Sequence, residues 1–190
     1  LAPDALLLGL ISDSSYTDAL DTLHVVGEIQ NDANLDVGDV TIVINIYDAE
    51  GQILKKVSGP SLIYRLLPGQ RAPFLVSAPR PEAMVNYSVK AVGRPISAEA
   101  NAELVVIEQT TYVDQAGFYR VTGKVENRSD RDVHQPKVVA TLYKRQGGVA
   151  NVGFDYPEVN LLLPGQQADF DLKFTYYPSG DNYQVFAIGN

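Results

Sequence analysis

The chain of 190 residues has no cysteine, only two histidines and an apolar amino-terminal run of just six residues, Leu6-Leu7-Leu8-Gly9-Leu10-Ile11. Without cysteine there is no thiol nucleophile, no Cys-ligated zinc and no disulfide staple. That leaves open an extracellular location in bacteria or archaea, where many domains fold without disulfides. The apolar run is far shorter than the about 20 residues that span a bilayer. It follows no basic region, so it does not read as a signal peptide. It is expected to form an edge or first strand, and any targeting segment is absent from this chain.

Positive charge is also scarce. Against 23 acidic residues stand 15 Lys and Arg, giving a net charge of −8 and a pI near 4.7. Such a surface repels phosphate backbones and anionic headgroups, so nucleic acid is not an expected partner and direct membrane insertion of this segment is not expected. With 45% hydrophobic and 20% charged residues, the composition is that of an ordinary globular protein.

No window shows a 3.6-residue apolar stripe, and period-2 alternation dominates. Val40, Ile42, Ile44 and Ile46 alternate with Thr41, Val43, Asn45 and Tyr47. Pro136, Val138, Ala140 and Leu142 alternate with Lys137, Val139, Thr141 and Tyr143 in the same way. The aliphatic set is expected to face a core and the other set water.

What the chain does have is a repeat. Leu66-Leu67-Pro68-Gly69-Gln70 recurs as Leu162-Leu163-Pro164-Gly165-Gln166, an offset of 96 that also relates Gly27 to Gly123, Asn31 to Asn127, Phe74 to Phe170 and Tyr87 to Tyr183. No gap is needed anywhere. A unit of this length has the size of one small domain, not of a solenoid repeat. The expected fold is all-β: two tandem immunoglobulin-like antiparallel β-sandwiches, over residues 1–95 and 97–190, joined within Arg94–Asn101. Each would hold six or seven strands.

Turn chemistry separates those strands. Asn31-Asp32-Ala33-Asn34 and Asn127-Arg128-Ser129-Asp130 read as Asx turns. Gly51 and Gly147 close short hairpins. Each Pro-Gly pair suits a type II turn, with glycine taking φ > 0. Tyr87 and Tyr183 open the last strands as either a tyrosine corner or a core tyrosine. Tyr47 and Tyr143 are expected as half-buried covers of the sheet end with wet hydroxyls.

The runs Val26-Gly27-Glu28-Ile29-Gln30-Asn31, Val40 to Asp48, and Leu67-Pro68-Gly69-Gln70 together resemble the FxLYD domain of bacteria and archaea. The resemblance covers most of each copy. It departs at the name-giving motif, where Ile44-Asn45-Ile46-Tyr47-Asp48 and Ala140-Thr141-Leu142-Tyr143-Lys144 lack the phenylalanine and the second copy lacks the aspartate. The resemblance implies an immunoglobulin-type sandwich in an exported or surface-anchored protein. It brings no catalytic or binding residues with it.

Catalytic motifs are missing. There is no Gly-x-Ser-x-Gly elbow, His-Glu-x-x-His helix, phosphate loop or Gly-x-Gly-x-x-Gly. His24 and His134 align with Arg120 and Gly38, so neither belongs to a site shared by the copies, and neither has an evident serine partner. Both are expected as solvated surface residues. Asp32-Ala33-Asn34-Leu35-Asp36 begins like a calcium loop but carries Val37 and Val43 where glycine and glutamate belong, so an Asx turn is the plainer reading. No catalytic residue, metal ligand or cofactor is therefore assigned. The sequons Asn86-Tyr87-Ser88 and Asn127-Arg128-Ser129 matter only in a glycosylating host.

One asymmetry stands out. Phe154, Tyr156, Tyr176 and Tyr177 occupy positions where the first copy has Ser58, Pro60, Arg80 and Pro81. Rings present in one copy are not required by the common core. They are expected either to pack loops and the domain junction or to offer a surface to a protein or sugar partner. The sequence therefore points to a non-enzymatic, extracytoplasmic interaction or spacer module. A carbohydrate- or peptide-binding domain using these aromatics, and an accessory region of a larger surface enzyme or transporter, stand as alternatives.

Overall fold

In the computed structural model, which describes residues 5–97, 102–177 and 182–189, every regular element is a β-strand. The chain divides into two compact units, Leu1–Ala98 with Gly148–Ala150, and Glu99–Gly147 with Asn151–Asn190.

The first unit holds β1 (Leu6–Thr17), β2 (Thr22–Gln30), β3 (Val37–Tyr47), β4 (Ile53–Pro60), β5 (Arg71–Pro79) and β6 (Asn86–Pro95), hydrogen-bonded antiparallel in the order β4-β3-β6-β1-β2-β5. β1 makes this possible. Its start, Leu6–Leu8, pairs with Gly93–Ala91 of β6, and from Gly9 onward it pairs with β2, with a register shift between Leu10 and Ser12. A bulge bends a strand, so β1 leaves one sheet of the sandwich and enters the other. It is the first strand, as expected, but not an edge, because β6 and β2 flank it.

The alternation of β3 is realised. Val40, Ile42, Ile44 and Ile46 are buried, joined by Leu23, Val25 and Ile29 of β2 and Phe74 of β5. The fold closes between β4 and β5, where a Cβ placed on Gly59 would sit 3.1 Å from Val76. The outer side of β2 departs from the expectation of a wet face: Val26 and Glu28 are buried too. β2 is hydrogen-bonded on both flanks, to β1 and to β5.

The second unit contains β7 (Leu104–Val113), β8 (Tyr119–Asn127), β9 (Val133–His134), β10 (Lys137–Tyr143), β11 (Val149–Asp155, from Asn151 onward), β12 (Leu161–Leu162), β13 (Gln167–Phe174) and β14 (Tyr183–Ile188). They form the sheets β13-β8-β7 and β11-β10-β14 and the small pair β12-β9. One core unites the two larger sheets: Val121 and Val125 of β8 and Phe170 and Leu172 of β13 pack with Val138, Ala140 and Leu142 of β10. Here again the outward set is not wet throughout. Val139 and Thr141 are fully buried on central β10, opposite Phe186 and Gln184 of β14.

Among the devices that recur at n and n+96, three hold the strands in place. The first is a glycine facing a phenylalanine. Gly27 pairs with Phe74 and Gly123 with Phe170 across adjacent strands. A Cβ on Gly27 would come within 2.5 Å of the Phe74 ring, and one on Gly123 within 2.9 Å of Phe170. Only glycine lets the ring lie flat across the neighbouring backbone.

The second is the Leu-Leu-Pro-Gly-Gln turn. Gln70 N–H donates to Leu67 O (2.9 Å) and Gln166 N–H to Leu163 O (3.0 Å), with φ of +75° at Gly69 and +77° at Gly165. This is the geometry expected of a type II turn.

The third is a buried asparagine. Asn31 Nδ2 donates to Leu35 O (2.8 Å) and Leu66 O (3.0 Å), while its Oδ1 accepts from Ala33 N (3.0 Å). Asn127 Nδ2 donates to Arg131 O and Leu162 O, both at 2.8 Å, and its Oδ1 accepts from Ser129 N (3.0 Å). The main chain of each asparagine bonds the Pro-Gly turn as well, through Gly69 N to Asn31 O and Gly165 N to Asn127 O, both 2.8 Å. One fully buried side chain thus ties the end of a strand, the following loop and the segment before the turn.

Candidate functional site

The aromatic set of the second unit separates into two groups. Phe154 and Tyr156 are exposed (43% and 56%) and meet edge to face with centroids 5.8 Å apart. Phe154 lies on β11 and Tyr156 just past its end, while Gly153 turns its Cα toward the Phe174 ring. The Lys137 ammonium lies 4.6 Å from the Phe154 centroid, and burial of this half-buried lysine lowers its pKa. Tyr176 is also exposed, and its carbonyl takes the Asn151 amide at 2.6 Å. Tyr177 differs. It stacks on Tyr119 at 5.3 Å and packs against the core of the unit, with its hydroxyl donating to Gly117 O at 3.3 Å. Of the four rings, Phe154 and Tyr156 form an exposed pair, Tyr176 is exposed near β11, and Tyr177 is a packing residue.

The tyrosines common to both copies have strand-tying roles. Tyr47 hydroxyl lies 3.1 Å from Ser88 Oγ and Tyr143 hydroxyl 3.2 Å from Gln184 Oε1, each reaching across to the neighbouring strand. Both rings are half-buried as expected, but the hydroxyls bond cross-strand partners. Tyr87 is no tyrosine corner. Its hydroxyl donates to Asp13 Oδ2 at 2.6 Å, linking β6 to β1, and burial followed by that hydrogen bond raises its pKa.

One carboxylate of the calcium-like stretch is otherwise engaged. Asp36 is ion-paired with Arg65, whose Nε lies 2.7 Å from its carboxylate. Among the described residues no group of three or more His, Cys, Asp and Glu side chains is placed to hold a metal ion. Of the two sequons, Asn127 is fully buried with its amide committed to two carbonyls, so a glycan cannot be attached to the folded chain there.

His134 is exposed, in line with expectation. His24 is not a solvated residue without a serine. Its Nδ1 lies 2.8 Å from Ser77 Oγ and its Nε2 3.0 Å from Asp18 Oδ2, and Tyr16 stacks on the ring at 4.8 Å. Sequence reasoning missed this contact because the serine lies 53 residues away. Only the β2–β5 register brings the two opposite one another. Asp18 is fixed in turn by Leu20 N (2.9 Å) and Thr22 N (3.0 Å), both on its Oδ1. Its pKa falls to about 2, chiefly through the hydrogen bond from His24.

No family model matches the chain, and no curated protein matches it. Among solved structures, the chain is similar to red sea bream transglutaminase at 11% identity and a TM-score of 0.30, covering 96% of this chain and 29% of that one. A calcium-binding mutant of Bacteroides uniformis β-glucuronidase 2 aligns at 10% identity and TM-score 0.26, over 87% of this chain and 24% of that one. The N-terminal CBM22-1–CBM22-2 tandem domain from Paenibacillus barcinonensis Xyn10C aligns at 9% identity and TM-score 0.18, over 100% of this chain and 87% of that one. The chain thus spans less than a third of each of the first two proteins. Among the described residues, no helix is long and apolar enough to cross a membrane.

Proposed function

We propose that the chain is a non-enzymatic, extracytoplasmic module of two immunoglobulin-like domains of the FxLYD type, acting as a spacer or interaction surface. One observation carries the reading. The equivalences at n and n+96 include the buried asparagine, the Pro-Gly turn, the glycine–phenylalanine pair and the Asp18 and Asp114 turns, all of which serve the fold. The residues that differ between copies, among them the exposed rings and the histidine, are the ones able to do chemistry. Protease shaving of intact source cells with peptide mapping tests the location. Release of peptides from this chain without lysis supports the reading, and recovery of the protein only in the cytosol contradicts it.

A second reading rests on Phe154 and Tyr156, an exposed aromatic pair beside a half-buried lysine, which suits the face of a sugar ring or an aromatic peptide side chain. Glycan and peptide arrays probed with the parent and with Phe154→Ala/Tyr156→Ala test it. Binding lost in the double variant supports a ligand surface, and no binding by the parent removes it.

A further inference from the structure

Tyr16, His24 and Ser77 face one another in register across β1, β2 and β5, with Asp18 in the turn between β1 and β2. The hydrogen bonds run Asp18 Oδ2 to His24 Nε2 at 3.0 Å and His24 Nδ1 to Ser77 Oγ at 2.8 Å. Each part of this line is held. Two backbone amides fix the carboxylate through its other oxygen, and the stacked Tyr16 ring, inclined 19°, fixes the plane of the imidazole. Ser77 itself is exposed.

The protonation pattern follows from donor and acceptor chemistry. Asp18 stays ionised at neutral pH, and an ionised carboxylate only accepts hydrogen bonds. The neutral imidazole has one N–H, which Asp18 claims at Nε2. Nδ1 then carries a lone pair, and the Ser77 hydroxyl must donate to it. Nucleophile, base and orienting carboxylate are therefore in place within hydrogen-bond reach.

The second unit shows which part of this is dispensable to the fold. Asp114 makes the same turn, accepting Ala116 N (3.0 Å) and Phe118 N (2.9 Å), yet Arg120 and Lys173 stand at the positions of His24 and Ser77. Arg120 ion-pairs with Asp114 at 3.8 Å and with Asp171, and Lys173 lies over the Phe118 ring at 3.6 Å, so the cation keeps the contact to the turn aspartate, with lysine in place of the serine hydroxyl. The turn requires only the aspartate. The imidazole–hydroxyl pair is additional to it and specific to the first unit.

We propose that Ser77 is an activated nucleophile that accepts an acyl group from a reactive carboxylic ester, with His24 as general base and Asp18 as the positioning residue. Ser77 Oγ attacks the ester carbonyl as its proton passes to His24 Nδ1. The bond to the leaving oxygen then breaks, and that oxygen takes the proton from Nδ1. The products are acyl-Ser77 and a free alcohol or phenol, with the imidazole neutral again. This goes beyond the spacer reading and stands or falls separately from it.

The test uses the whole chain and p-nitrophenyl acetate, with quenching in acid and peptide mapping of the acetyl groups. Ser58 is also exposed and serves as an internal control in the same molecule. Acetyl on Ser77 is expected to build up faster than on Ser58. His24→Gln should slow it by about 100-fold, the lower range for a positioned general base. Ser77→Ala should remove that peptide's label and leave the melting temperature near the parent's. Equal rates at Ser77 and Ser58, or label on lysines alone, would overturn the proposal and leave the network as a tie between strands. Because Ser77 and Ser58 are compared within the parent, the outcome does not depend on any variant folding.

Discussion

Single residues show most clearly where stability is gained and where it is forgone. Thr141 is fully buried on β10, and among the described residues its hydroxyl is the buried side-chain atom without a hydrogen bond. A buried hydroxyl with no partner costs about 1–3 kcal/mol in lost hydration. Thr141→Val keeps the branched shape and removes the orphan, so it should stabilise the chain by about 1 kcal/mol in urea denaturation. Asp18 gives a contribution that depends on pH. Its carboxyl titrates near 2 in the fold against an ordinary 3.8, so the unfolded chain binds the proton more readily. The contribution is fully present well above the ordinary value and is lost as pH falls toward 2. Thermal melts across that window should show a smaller decline for Asp18→Asn than for the parent.

At the scale of elements, one turn is used three times. Asp18 to Thr22, Asp48 to Gln52 and Asp114 to Phe118 each have an aspartate accepting two amides through Oδ1 and a left-handed fourth residue. That fourth residue is Gly51 (φ 78°) and Gly117 (φ 84°) in two of them, but Asp21 (φ 58°) in the other. A non-glycine residue is strained at positive φ, aspartate less than most. Asp21→Gly should therefore raise stability by about 0.5–1 kcal/mol, and an unchanged denaturation midpoint would count against the strain.

These elements also show what the sequence made legible. Alternation located the inner faces of β3 and β10, and Pro-Gly identified both type II turns, because each signal lies within a few neighbouring residues. The Asx turns at Asn31 and Asn127 were readable as turns, but not as buried ties, since the carbonyls they hold at Leu66 and Leu162 lie 35 residues away. The same limit hid Ser77 from His24 and Asp13 from Tyr87. It also concealed the passage of β1 between sheets, which depends on a register shift and not on composition. Of the four aromatics singled out, chemistry alone could not tell exposed Phe154 and Tyr156 from Tyr177, whose surroundings are set by Tyr119 and Phe174.

For the whole molecule, residues shared at n and n+96 carry the fold, and the proposed nucleophile and base, Ser77 and His24, lie among those that differ, while Asp18, shared with Asp114, holds its turn in both copies. Asn31 and Asn127 are the sharpest examples, each fully buried and each donating to two carbonyls. Aspartate at either position has nearly the same shape but sets acceptor against acceptor and places a charge in a fully buried position. The most direct measurement is urea denaturation of Asn31→Asp and Asn127→Asp beside the parent. Each substitution is expected to cost about 3 kcal/mol or more. Midpoints indistinguishable from the parent's for both variants would show that the shared asparagines do not hold their units together, and the division between structural and chemical residues would fall with them.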